Sequence, residues 1–236
     1  MAAVINVQRW LKFTATTVGR DKLYRTLQYF SRFLASYIAR QGATKETVAR
    51  FNNLKKTLAL SRKRKPIEHL EAAVAATSLK DRTLLFCTAG KQLSYAGYLT
   101  YDALIFLDGA GAYKFKNIKR YTELASKFWL SGITFSLLTG LYKTRQIQVR
   151  REDAVRGLKH SGESEKSHAQ TELKALAREQ NNVNWQMLQD GLDTLIPSSS
   201  LGYVDLDDGI VGLVGTLTSI MGAQTQWAKV NKMIKT

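Results

Sequence analysis

The chain has 236 residues, 44% of them hydrophobic, and carries a formal net charge of +16. The apolar content excludes an intrinsically disordered chain, and the mean hydropathy of −0.22 argues against many membrane spans but leaves room for one or two. Residues 1–65 hold 15 lysines and arginines and only 2 acids, so most of the positive charge lies in this first quarter. Such a charge predicts an anionic partner, either a nucleic acid or a lipid surface.

The sequence contains no recognisable catalytic or metal-binding motif. Cys87 is the only cysteine, which rules out an intrachain disulfide and is typical of a reducing compartment; we expect it to be a small buried residue. The histidines, His69, His160 and His168, lack partners at metal-ligand spacing. No phosphate-binding loop, nucleophile elbow or zinc-protease motif is present. The sequence therefore predicts no cofactor, no metal and no enzymatic activity.

The first two predicted helices cover residues 3–18 and 20–40, with a break at Gly19. Arg25 and Arg32 point away from an apolar stripe that recurs along the second helix, formed by Leu23, Leu27, Phe30 and Leu34. A stripe of this kind packs either on the core of the protein or in the headgroup region of a membrane. The sequence leaves both possibilities open for this helix.

The third predicted helix, 44–65, ends before Pro66 and completes a basic amphipathic region over residues 1–66. Its apolar face, which we predict to insert into a membrane, is formed by Val48, Phe51, Leu54 and Leu58. The cations that we predict to contact lipid headgroups are Arg50, Lys55, Lys56, Arg62, Lys63, Arg64 and Lys65. Lys55 and Arg62 lie near the apolar face, a departure from a clean amphipathic pattern that long cationic side chains tolerate.

Residues 67–142 are predicted to be a helical region with two apolar segments. Each segment is shorter than the about 20 residues that cross a bilayer, so each fits a buried core helix as well as a partly inserted one. These apolar segments cover 92–108 and 128–142, and the predicted helices cover 67–80, 81–107 and 121–142.

The remaining chain is first polar and then apolar. Residues 143–182 are predicted to form a polar loop region, with 157–168 as its most loop-like part. C-terminal helices occupy 183–236, and the Gly-rich apolar segment 209–227 has nineteen residues without a charge. Small residues at spacings of three and four predict a helix-packing face or a span there: Gly212, Gly215, Ser219 and Gly222. The predicted fold is all-α, with amphipathic helices and one or two membrane-embedded segments.

Three motifs occur in the order typical of one family. GRDK (19–22) is followed by LQY (27–29) near the N-terminus. RKPIEHLEAA (64–73) is similar to the family's Lys-Pro-x-x-His-Leu-x-Ala-Ala, and the segment 209–227 is similar to its Gly-rich end with a closing tryptophan. The chain thus resembles the peroxin-11 family over nearly its whole length, and looks closest to the fungal members.

This resemblance implies a protein of the peroxisomal membrane that elongates peroxisomes before they divide. It implies that an amphipathic helix just before the Lys-Pro element, residues 45–64 here, inserts into one leaflet and favours curvature. The implied partners are an anionic phospholipid membrane, further copies of the chain, and the fission machinery, namely a dynamin-related GTPase and its membrane adaptor. A pore-like role in metabolite transfer is the alternative function.

Two other functions stay open on the residues alone. A channel would need the segments 92–108 and 128–142 to span the membrane and Asp102 to line an aqueous path. A soluble basic adaptor or nucleic-acid binder would be extracted by high salt and would not need lipid. Zinc-finger and RNP-type motifs are absent, and apolar stripes interrupt the basic residues, so we predict no nucleic-acid partner.

Overall fold

The computed structural model describes residues 2–60, 66–109, 111, 113–160 and 163–232. Within these residues the chain forms helices, turns and bends but no strand, which confirms the predicted all-α class. The helices are α1 (Ala2–Ala15), α2 (Thr17–Arg40), α3 (Lys45–Leu60), α4 (Pro66–Ala76), α5 (Arg82–Gly109), α6 (Ile118–His160), α7 (Glu163–Ser200) and α8 (Asp208–Lys232).

Short polar side chains and one proline set where several helices begin. Thr16 accepts a hydrogen bond from the Gly19 backbone N–H and starts α2, so the predicted break at Gly19 is wrong by three residues. Asp81 accepts two N–H groups of the first turn of α5 at 2.9 and 3.1 Å. Asp207 caps α8 in the same way at 2.7 and 3.1 Å. Pro66 is the first residue of α4, where its missing N–H costs nothing.

The predicted polar loop region over 143–182 is helical in its described residues, which lie in α6 up to His160 and in α7 from Glu163. A helix tolerates a polar sequence when its charged side chains stay at the surface and pair with neighbours. Arg150 of α6 bonds Glu179 of α7 at 2.9 Å, and both side chains are exposed. Helix α7 also continues past Pro197 to Ser200 instead of ending before the proline.

The chain divides into two compact units, named here unit 1 and unit 2, which several helices share. Unit 1 comprises residues 1–65, 98–127 and 192–236, and unit 2 comprises 66–97 and 128–191. In unit 1, α2 packs against α3 and α8, and α1 packs against α2 and α8. The buried core of unit 1 includes Phe13, Tyr29, Ala35, Val211 and Val214. The predicted N-terminal region therefore shares its unit with the C-terminal helix.

Unit 2 combines an apolar core with a buried polar cluster. Cys87 is buried, as predicted, together with Ile133, Ile147 and Leu176. Gly140 permits a close approach between helices, since a Cβ there would lie 2.5 Å from the Met187 side chain. The cluster is a chain of two hydrogen bonds that joins Lys91, Ser136 and Asp190.

The three apolar segments of the sequence lie inside long helices of the structure. Segment 92–108 lies in α5, segment 128–142 in α6, and segment 209–227 in α8. Of the helices in the described part of the chain, none combines the length and hydropathy needed to cross a bilayer.

Candidate functional site

Helix α3 carries the predicted membrane-inserting residues, but it does not present them as one open apolar face. The helix packs against α2. Val48, Phe51 and Leu58 are half-buried, whereas Leu54 is 46% exposed. The structure thus separates the four residues: three are half-buried in the folded chain, and Leu54 is exposed to solvent.

The predicted headgroup-binding cations of α3 also differ in their surroundings. Arg50 and Lys56 are exposed, and Arg50 pairs with Glu46 one turn away at 2.8 Å. Lys55 is half-buried, with its Nζ 3.6 Å from an Asp208 carboxylate oxygen. Burial lowers the pKa of Lys55, and Arg32 adds to this, while Asp208 acts in the opposite direction. The cations Arg62, Lys63, Arg64 and Lys65 lie outside the described residues.

The small residues of α8 face α2 within the same chain. A Cβ at Gly212 would lie 2.5 Å from the Phe33 backbone nitrogen, and one at Gly215 would overlap the Tyr29 ring. Gly222 faces the Lys22 side chain in the same way. Ser219 is fully buried and donates to the Gly215 carbonyl. These residues bring α8 close to α2, whereas their predicted use in anchoring or in packing between copies stays a prediction.

Helix α2 buries residues that lie outside its apolar stripe. Its buried residues are Gly19, Arg25, Tyr29, Ser31 and Ala35. Of the apolar stripe, Leu27 and Phe30 are exposed, while Leu23 and Leu34 are half-buried. Part of the stripe, Leu27 and Phe30, therefore lies at the surface of the folded chain, and its contact with a membrane stays a prediction.

A buried ion pair accounts for the inward position of Arg25 on α2. Two guanidinium nitrogens of Arg25 donate to the two carboxylate oxygens of Asp193 at 2.6 and 3.2 Å. The Arg25 guanidinium also lies 5.4 Å from the centre of the Tyr29 ring. Burial is the largest single effect and lowers the pKa of Arg25, but the charge and hydrogen bonds of Asp193 together with Tyr29 and Tyr98 outweigh it, so the pKa is raised. The pair keeps Arg25 charged while buried.

At the N-terminus of α8, two acids receive cations from α2 and α3. Arg40 of α2 pairs with Asp207 at 3.0 Å. Arg32 of α2 donates from Nε to Asp208 at 3.1 Å, and Lys55 of α3 approaches the same carboxylate. The hydrogen bond from Arg32 holds the pKa of Asp208 below its ordinary value of 3.8, with Lys55 adding to the effect. Asp208 thus connects α2, α3 and α8.

We expect the stability of the protein to depend on the charge of Asp208 at low pH. Because the pKa of Asp208 is lowered in the folded chain, its contribution is complete above pH 3.8 and is lost as the pH falls through the folded pKa. Asp208→Asn should therefore be less stable than the parent protein at neutral pH, and the two should converge in acid. Urea denaturation at several pH values measures this difference. A difference that stays constant with pH would contradict the assignment.

Sequence reasoning missed three of these residues: Arg25, Asp193 and Asp208. Asp207 and Asp208 directly precede a long uncharged segment, a pattern that signals a helix N-cap and could have been used. Nothing near Arg25 points to Asp193, which lies 168 residues away. Among the described residues, no group of three or more His, Cys, Asp or Glu side chains could hold a metal ion.

Comparison with known proteins agrees with the arrangement of the motifs. The chain matches the Peroxisomal biogenesis factor 11 (PEX11) family over residues 7–227. It is 30% identical to peroxisomal membrane protein PMP30A of Candida boidinii and to PMP27 of Saccharomyces cerevisiae, with 94% of each chain covered in both cases. It is 24% identical to peroxisomal biogenesis factor 11 of Schizosaccharomyces pombe, over 92% of this chain and 93% of the relative. No solved structure matches the chain.

The fold of the described residues defines a class of helical proteins. Its members have a basic amphipathic N-terminal region and a glycine-rich last helix. The chain belongs to the peroxisomal biogenesis factor 11 family. The family and the peroxisomal membrane location that the sequence indicated are confirmed by these relatives. The family is one of biogenesis factors and not of enzymes.

Proposed function

We propose that this chain, without catalysing a reaction, curves and elongates the peroxisomal membrane as a step that promotes peroxisome division and proliferation. The observation that carries the proposal is the family match over residues 7–227, which includes an amphipathic helix just before the Lys-Pro element at 65–66. The concentration of positive charge in residues 1–65 supports it, because anionic headgroups attract such a region.

The proposed mechanism requires α3 to change partners. Val48, Phe51 and Leu58 are half-buried in the folded chain, where α3 packs on α2, so insertion moves these side chains from α2 into the acyl region. The Lys55–Asp208 contact at 3.6 Å must break at the same time. Lipid phosphate then replaces Asp208, a contact that contributes about 1 kcal/mol for each cation near an anionic surface. The inserted helix expands one leaflet and thereby favours curvature.

We predict that Phe51→Asp and Leu58→Asp each abolish the tubulation of anionic vesicles. A carboxylate on this face is expensive to bury in the acyl region, so α3 can no longer insert. Negative-stain electron microscopy of vesicles mixed with each full-length variant measures the effect. Asn53→Asp places the same charge on the exposed side of α3 and is the matched control, which should still form tubules. Normal tubulation by Phe51→Asp would remove α3 insertion from the mechanism.

The partners proposed for this activity are an anionic phospholipid membrane, further copies of the chain, and the fission machinery. The resemblance to the family supports the dynamin-related GTPase and its membrane adaptor as that machinery. Co-precipitation of the adaptor with the tagged full-length chain from peroxisome extracts tests this contact. Failure to recover the adaptor under conditions that recover a second copy of the chain would remove it from the proposal.

A further inference from the structure

We propose that the contact between Lys55 of α3 and Asp208 of α8 is an autoinhibitory contact, which we name the α3 latch. It holds α3 on the folded chain until the phosphate groups of an anionic bilayer replace the Asp208 carboxylate. The inference rests on the proposed function, because it concerns the control of the same helix. It adds a threshold to that function: a membrane that is poor in anionic lipid leaves α3 docked on α2.

Lys55 lies in the middle of the half-buried face of α3. Phe51 precedes it by four residues and Leu58 follows it by three, and residues at these spacings share one side of a helix. Lys55 is itself half-buried. The other cations in the described part of α3 are all exposed: Lys45, Arg50 and Lys56. The lysine that interrupts the amphipathic pattern is therefore the one that contacts Asp208.

Asp208 compensates two cations that would otherwise repel each other. Arg32 of α2 donates from Nε to one carboxylate oxygen at 3.1 Å, and the Lys55 Nζ lies 3.6 Å from the other oxygen. Burial lowers the pKa of Lys55, and the positive charge of Arg32 lowers it further, because the two cations are close. Without the carboxylate, Arg32 and Lys55 would push α2 and α3 apart. Asp208 thus replaces a repulsion between these helices with an attraction.

The α3 latch is open to a competing anion. The Asp208 side chain is 57% exposed, and the side chains of Arg32 and Lys55 are each 27% exposed. An ion pair with this access to water is weak, so another anion can replace the carboxylate. Phosphate accepts hydrogen bonds from both guanidinium and ammonium groups. An anionic bilayer presents many phosphates on one surface and attracts the basic N-terminal region, so it competes better than single ions.

The turn before α3 allows the helix to leave α2. This turn covers residues 41–44, between the end of α2 at Arg40 and the start of α3 at Lys45. Gly42 has a φ of 77°, a conformation that favours glycine, and a Cβ there would meet no heavy atom of the described residues within 4 Å. Because Gly42 has open space around it, the turn can change direction without disturbing the packing of α2.

The first test measures the release of α3 in the absence of a membrane. Hydrogen exchange followed by mass spectrometry compares the α3 amides of the full-length parent chain with those of Asp208→Asn at neutral pH. We expect exchange in α3 to be about fivefold faster in the variant, because the attraction between the helices becomes a repulsion. Parent-like exchange of α3 in Asp208→Asn would overturn the inference.

Asp207→Asn is the matched control for this test. It removes the same charge from the same end of α8, but Asp207 pairs with Arg40 of α2 instead of with α3. Asparagine also caps a helix about as well as aspartate. We expect α3 to exchange as in the parent. Equal acceleration by Asp207→Asn and Asp208→Asn would assign the effect to the charge of α8 in general and would overturn the latch.

A second background separates the α3 latch from a general loss of stability. In a Lys55→Met chain the latch is already absent, so the addition of Asp208→Asn should not accelerate the exchange of α3 further. Acceleration of the same size in both backgrounds would assign the effect to the contact of Asp208 with Arg32 and would overturn the inference.

The third test measures the threshold itself. Each full-length chain is mixed with phosphatidylcholine vesicles that contain a rising fraction of phosphatidylserine, and tubules are scored by negative-stain electron microscopy. We expect Asp208→Asn to form tubules at about half the phosphatidylserine fraction that the parent needs, and Asp207→Asn to match the parent. An unchanged or raised threshold for Asp208→Asn would overturn the latch.

Inorganic phosphate identifies the source of the competing anion. At the phosphorus concentration of the vesicles, it should leave the exchange of α3 in the parent chain unchanged. Release of α3 by inorganic phosphate at this concentration would assign the trigger to a free phosphate and would overturn the role of the bilayer.

These outcomes separate the inference from the proposed function. Loss of tubulation by Phe51→Asp, combined with parent-like exchange of α3 in Asp208→Asn, would keep α3 insertion and remove the latch. Normal tubulation by Phe51→Asp, combined with faster exchange of α3 in Asp208→Asn, would keep the latch as the contact that holds α3 and remove α3 insertion from the proposed function.

Discussion

Replacing Asp193 with alanine is expected to lower the free energy of unfolding by about 3–5 kcal/mol, because the change removes the carboxylate that compensates the charge of a buried guanidinium. Arg25 is 5% exposed and directs two guanidinium nitrogens at the Asp193 carboxylate. Chemical denaturation of the purified variant measures the loss.

Two further variants make this result specific. Arg50→Ala removes an ion pair in which both side chains are more than three-quarters exposed, and it should change stability by less than about 1 kcal/mol. Combining Arg25→Met with Asp193→Leu removes both buried charges, and it should recover much of the stability that Asp193→Ala loses. An Asp193→Ala variant as stable as the parent would contradict the buried ion pair.

Replacing Gly215 with leucine is expected to destabilise the protein by about 3 kcal/mol through overpacking. Even the first carbon of the new side chain would overlap the Tyr29 ring. The ring cannot move aside freely, because Tyr29 is buried and lies against the paired Arg25. Helix α8 must therefore move away from α2, which exposes residues such as Val211 and Val214.

Gly191→Leu is the matched control for this variant. Gly191 also lies inside a helix, but a Cβ there meets no heavy atom within 4 Å. We expect it to be neutral or slightly stabilising, since leucine has a higher helix propensity than glycine by roughly 0.8 kcal/mol. Thermal unfolding followed by circular dichroism compares the two variants with the parent. Equal melting temperatures for Gly215→Leu and Gly191→Leu would contradict the close packing of α8 on α2.

The helical class of the fold could be predicted because the relevant information is local. Apolar spacing marks the helices, and only two prolines occur in the chain. The segment 157–168, predicted as a loop, contains the boundary between α6 and α7, but its described residues on both sides are helical. A glycine costs a helix only about 1 kcal/mol relative to alanine, and α6 extends to His160.

The orientation of α2 could not be predicted, because it depends on contacts between distant parts of the chain. The pattern of Leu27 and Phe30 suggests a buried stripe, yet the partners on the other side of the helix decide the outcome. Arg25 pairs with Asp193, and the glycines of α8 leave room for Tyr29 and Phe33 to pack closely against that helix. The residue pattern of one helix does not show which other helix packs against it, or on which side.

The candidate site shows the same limit. The amphipathic pattern of α3 correctly describes a helix, but an apolar face can meet either another helix or a membrane. In the folded chain Val48, Phe51 and Leu58 are half-buried where α3 packs on α2. The small-residue spacing of α8 predicted a packing face, and the structure places α2 against it.

The most direct test of the account is flotation of the purified full-length protein with anionic and with neutral vesicles, followed by electron microscopy of the floated fraction. We expect flotation with anionic vesicles, weaker flotation with neutral ones, and tubules drawn from the anionic vesicles. Failure to float with either kind of vesicle, or flotation that leaves the vesicles spherical, would contradict the claim that this chain curves membranes.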